Sequence, residues 1–132
     1  MKIHWKWVVI VGILSELLLL VLRFPFLRYD GPGSYAVSFL IHFIPLFLGG
    51  LLIARKIESR FVLHGVLVGI VANLLLVFII PLFIFMSAPT KQRVISLLIS
   101  IPVKILGGAA GAYVGGMRNK KLLSAQTAKS PS

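Results

Sequence analysis

Four long apolar runs each carry one strongly polar residue away from their ends: Glu16, His42, Asn73 and Lys104. These are side chains that hold or move protons and hydrogen bonds: a carboxylate, an imidazole, an amide and an ammonium group. A charge at the centre of a lipid-crossing helix costs about 2.5–3.5 kcal/mol on insertion scales, so it turns away from lipid and finds a partner. At about 1.5 Å of rise per residue, Glu16 lies roughly 13 Å inward from Trp7, and Lys104 roughly 16 Å inward from Arg93. Opposite in sign and similar in depth, the two are expected to pair inside a bundle. Asn73 lies near the same level and His42 nearer the other edge, which completes an expected hydrogen-bonded cluster. Two readings of Glu16 stay open: half of a structural ion pair, or a carboxylate that couples protons to a substrate.

The remaining chemistry is sparse. The only acids are Glu16, Asp30 and Glu58, and there is no cysteine. This excludes disulfides, thiolate metal sites and a thiol nucleophile. His4, His42 and His64 are far apart in sequence and lack nearby carboxylates, so no metal site is expected. No nucleophile, base and orienting acid stand in a catalytic arrangement. The expectation is a protein that is not an enzyme and holds no cofactor.

The elements that must position the four polar residues follow from composition. The chain has 132 residues, 58% hydrophobic and only 13% charged, where a soluble domain carries roughly 25% charged. Its apolar residues form runs rather than stripes. A hydrocarbon core about 30 Å thick needs roughly 20 apolar residues per helical crossing. Four such helices are expected at about residues 7–27, 35–54, 61–86 and 94–117, giving an all-α four-transmembrane-helix bundle over residues 1–121. The first run is too long for a signal peptide and has no small-residue cleavage site after it. Residues 122–132 are small and polar and are expected to form a disordered tail.

The charge balance is strongly basic, with 14 Lys+Arg against 3 Asp+Glu. The basic residues flank the apolar runs, which points to topology and anionic lipid rather than to nucleic acid. Lys2, Lys6, Arg55, Lys56, Arg60, Arg118, Lys120, Lys121 and Lys129 fall on one side. Arg23, Arg28, Lys91 and Arg93 fall on the other. The excess places both termini and the middle loop in the cytoplasm.

Small residues share a helical face with each polar one. Gly12 and Ser15 accompany Glu16; Pro45 and Gly49 accompany His42; Gly65, Gly69 and Ala72 accompany Asn73. Gly107, Gly108, Gly111, Ala112 and Gly115 follow Lys104. Small faces let helices approach closely. The ladder Gly107-xxx-Gly111-xxx-Gly115, with Gly108-xxx-Ala112-xxx-Gly116 beside it, reads either as packing within one chain or as a seam in a homo-oligomer or with a membrane partner. Pro45 before Gly49-Gly50 and Pro102 before Gly107-Gly108 also suggest two parallel helical-hairpin repeats. The alternative is that Gly and Pro are simply common in membrane helices.

The stretch Leu48-Gly49-Gly50-Leu51-Leu52-Ile53-Ala54-Arg55-Lys56, then His64-Gly65-Val66-Leu67-Val68-Gly69, resembles small uncharacterised bacterial four-helix membrane proteins. The Gly107-Gly108 helix with its basic end extends the likeness. The resemblance implies a bacterial plasma-membrane protein without an assigned activity. Leu14-Ser15-Glu16 is also similar to the first helix of small multidrug-resistance transporters. That likeness implies an intramembrane Glu16 that exchanges protons for cationic drugs, although a midplane Lys104 would compete with such cations.

Overall fold

The computed structural model describes residues 3–26, 31–86 and 91–130. Lys2, Arg28, Asp30 and residues 87–90, which the sequence places in loops and termini, lie outside that range. The order is α1 (Trp5–Arg23), a short 3-10 turn (Phe24–Phe26), α2 (Ser34–Ala54), α3 (Phe61–Met86) and α4 (Lys91–Lys129). All four helices are long and apolar enough to cross a membrane.

Local chemistry sets the ends. The His4 carbonyl accepts from the N–H groups of Trp7 and Val8, which opens α1. The helix tightens at Phe24–Phe26, where Pro25 has no N–H to continue the ladder. Gly33 precedes α2 with φ +85°, a left-handed conformation that a residue without Cβ adopts at little cost. Pro45 and Pro102 lie inside α2 and α4. Each leaves a carbonyl of the preceding turn without its usual donor. Membrane helices tolerate this where neighbouring side chains supply donors.

Burial is the inverse of a soluble bundle. Phe78 is 80% exposed and Phe24 76%, while Lys104 is fully buried and Glu16 only 3% exposed. Large apolar side chains on the outside suit a bilayer; in water they would be a large aggregating surface.

α4 packs most extensively against α2, then against α3. α1 packs on α2 and α3, and α2 also touches α3. Among the described residues, the α1 and α4 backbones do not meet. The cross-section is therefore a rhombus, with α2 and α3 on its short diagonal and α1 and α4 at its far corners. The packing is not two-fold symmetric, because a symmetric pair of hairpins would bring α1 to α4 as α3 comes to α2.

Glycine makes the central approaches. A Cβ on Gly107 would meet the Phe43 carbonyl at 2.9 Å, and one on Gly115 would meet Ala54 Cβ at 2.7 Å; Gly111 lies against Phe47. That row faces α2. Gly108 lies against Gly65, and Gly116 against the Phe61 ring, so the second row faces α3. Gly69 lies beside Ile105 and the Lys104 carbonyl, and Gly49 beside Ser15 of α1. The first ladder of α4 thus meets α2, and the second lies against α3 and against Gly50 of α2. Buried Val8, Val11, Leu19, Leu46, Ile53, Val68, Ala72 and Ala112 fill the space between.

The C-terminal segment differs from expectation. α4 stays helical through Lys129, although its last residues are exposed. The membrane span has already met the cost of nucleation, and each further residue adds a hydrogen bond for little. Leu, Lys, Ala and Gln in this stretch are also good helix formers.

Gly50→Ala tests the tight packing. Its Cβ would meet Ala112 N at 2.6 Å and Gly111 C at 2.9 Å, both backbone atoms that cannot swing aside. An SDS-unfolding titration is expected to show a loss of about 1–3 kcal/mol, the usual range for overpacking. A wild-type curve would mean that the two backbones are not in close contact.

Candidate functional site

Lys104 and Glu16 meet as the sign-and-depth argument expects. Lys104 Nζ donates to Glu16 Oε1 at 3.0 Å and to Oε2 at 2.8 Å. The pair is sealed, with side-chain exposures of 0% for Lys104 and 4% for Glu16. They come from α4 and α1, the helices at the far corners. Only a long, flexible stem spans that gap, and lysine carries four methylenes behind its charge. Gly69 lets α3 lie close to the α4 backbone at Lys104 itself. On α1, Ser15 and Leu19 are buried around the carboxylate. In so dry a setting, attraction offsets desolvation only when geometry is good and the remaining hydrogen-bonding capacity is used. Here one ammonium engages both carboxylate oxygens.

The other two residues do not join the pair in the expected way. His42 is buried on α2, and its Nδ1–H donates to the Ser38 carbonyl of its own helix at 2.6 Å. Asn73 Nδ2 donates across to the Ile101 carbonyl at 3.1 Å. Both side chains donate to backbone carbonyls, while the Glu16 carboxylate is held by Lys104. Asn73 thus brings a donor to α4 next to Pro102. Within α4, Ser100 Oγ donates to the Leu97 carbonyl at 2.6 Å. His42 Nε2 and Asn73 Oδ1 are buried with no hydrogen-bond partner among the described residues.

Some positions carry more than their sequence context suggested. Asn119 Nδ2 donates to the Ala54 carbonyl at 2.6 Å, closing the C-terminal end of α2 from α4. The signal was present: Asn119 continues the Gly107, Gly111, Gly115 row by one more step of four. His64 is also buried. Its Nδ1–H donates to the Arg60 carbonyl at 2.9 Å, and its Nε2 accepts from the His4 backbone N–H at 3.3 Å. Lys56 Nζ lies 4.9 Å from the centre of the Trp7 ring, within cation–π range. These contacts tie α1 to the α2–α3 connection at one end of the bundle. No group of three metal-ligating side chains occurs among the described residues.

The geometry offers one neutralised charge pair, two buried polar atoms and no open catalytic constellation among the described residues. Residues 5–116 match the model of a family described as "Protein of unknown function (DUF3792)". No curated protein and no solved structure matches the chain.

Proposed function

The chain belongs to this family of unknown function, and on that premise we propose that it is a non-catalytic subunit of the cytoplasmic membrane, with a structural or partner-binding role. The observation that carries the reading is the Glu16–Lys104 pair. Both carboxylate oxygens are taken by one buried ammonium, so the only acid inside the described bundle is spent on holding helices together. A coupling carboxylate needs access to water and a change of partner during its cycle. Its partner Lys104 and the adjacent Ser15 and Leu19 are all buried. The outward surface is broad and apolar, suited to lipid or to another membrane protein.

The second reading is a small proton-coupled transporter using Glu16. It draws on His42 Nε2 and Asn73 Oδ1, polar atoms buried in the same bundle without partners among the described residues. The two readings part in one experiment. The subunit reading predicts that the purified chain in liposomes moves no protons or cationic dyes, and that tagged chain drawn from its own membranes carries a partner in constant ratio. Flux that Glu16→Gln abolishes, with membrane-inserted protein unchanged, would reverse the assignment.

For orientation we propose that both termini face the cytoplasm, because Lys and Arg concentrate at that end. Reporter fusions at Asn119 and Gly31 are expected to report inside and outside respectively. The opposite pattern would invert the topology. The same basic end is where anionic lipids of a bacterial plasma membrane would gather.

A further inference from the structure

At the end of the bundle that carries the α2–α3 connection, a groove of about 300 Å³ opens between the start of α3 and the late part of α4. Phe61, Leu63, Tyr113 and Met117 form apolar and aromatic walls, and Gly116 lies at the back. A Cβ on Gly116 would run into the Phe61 ring, so α3 and α4 approach closely beside the groove. Arg60 and Lys120 stand on the rim, and no Asp or Glu lines it. The apolar span of α3 begins at Phe61, so the two cations sit where hydrocarbon gives way to headgroups. Tyr113 and Met117 continue the groove outward onto the lipid-facing surface, being 57% and 46% exposed.

We propose that this groove is a binding site for one anionic phospholipid, with its phosphate between Arg60 and Lys120 and an acyl chain along Tyr113 and Met117. Charge complementarity selects the headgroup. The rim offers two cations and no competing carboxylate, and an arginine fork matches phosphate oxygens. The first N–H groups of α3 point to the same end and add to the positive field. The apolar walls select a lipid over a soluble phosphate, since a free anion would leave them in water. The proposal goes beyond a general attraction of the basic end for acidic membranes. It assigns the preference to two residues among the many basic ones, and it holds whichever side of the membrane this end faces.

Arg60 also has a held backbone. It adopts φ 55°, a left-handed conformation that is uncommon for a residue with a side chain. Its carbonyl accepts both the His64 backbone N–H at 3.2 Å and the His64 ring N–H at 2.9 Å. Glycine suits this backbone better than arginine does, so Arg60→Gly removes the charge while leaving the turn intact.

The test uses the full chain in nanodiscs of equimolar phosphatidylglycerol and phosphatidylcholine, released into gentle detergent. Native mass spectrometry then counts the lipids retained. Wild type is expected to keep one phosphatidylglycerol in preference to phosphatidylcholine. Arg60→Gly and Lys120→Gln are each expected to lower that preference about fivefold, the factor implied by roughly 1 kcal/mol per basic residue near a membrane surface. The double variant should approach parity. Lys129→Gln, at the exposed far end of α4, should change nothing. If Arg60→Gly does not fold, Lys120→Gln alone still decides the matter. An undiminished preference in Lys120→Gln, an equal loss in Lys129→Gln, no preference in wild type, or displacement of the lipid by soluble glycerol phosphate would each overturn the site.

Discussion

A lysine stem reaching a buried carboxylate across the long diagonal of the bundle is the constraint on which the arrangement of helices depends. α1 and α4 have no backbone contact of their own among the described residues. Lys104 joins them through the buried interior. Either charge alone in hydrocarbon would oppose insertion. Together they fix register, because both carboxylate oxygens lie within hydrogen-bond distance of one nitrogen. A slip of α4 by one residue would rotate Lys104 by about 100° and move it about 1.5 Å along the axis, and the pair would be lost. The pair therefore does more for which structure forms than for how stable that structure is, a role attested for some buried ionic groups.

The glycine rows make this reach short enough. Water-driven burial does not distinguish helix–helix from helix–lipid contact in a bilayer, so close packing must supply the association. Gly107, Gly111 and Gly115 bring α2 in, Gly116 brings α3 in, and Gly108 lies against both Gly65 of α3 and Gly50 of α2. α4 thereby becomes the element against which both are laid. Phe39, Phe43 and Phe47 stack in sequence along α2, with centroids 5.5 and 5.8 Å apart, and the last two lie level with the glycines. At the end near the α2–α3 connection, the Asn119, His64 and Lys56 contacts close the bundle where the helices leave the apolar layer.

Much of this was legible in the residues. Runs of apolar sequence marked the helices, and α2 and α3 begin and end within a residue of the expected positions. Depth and sign were enough to pair Glu16 with Lys104, because a low-dielectric interior leaves unpaired charges few alternatives. The arrangement of helices was not legible. One-dimensional spacing tells which face is small, not which neighbour occupies it, so the two α4 ladders gave no sign that they serve two partners. Depth and shared small-residue faces point His42 and Asn73 to the cluster, but neither feature names an acceptor. Their actual acceptors are backbone carbonyls, and which carbonyl a side chain reaches depends on helix placement in three dimensions. Polar composition alone gives no sign of the helical extension to Lys129, which follows from covalent continuity with a formed helix.

The most direct measurement is a double-mutant cycle on the pair, read by SDS-unfolding titration of Glu16→Gln, Lys104→Met and the double variant. Each single change leaves a buried polar group without its partner and is expected to lose about 3–5 kcal/mol. The double variant, with no charge left to bury, is expected to recover most of that loss. Near-wild-type stability in both single variants, or losses that simply add in the double, would contradict the account and leave Glu16 a free intramembrane carboxylate.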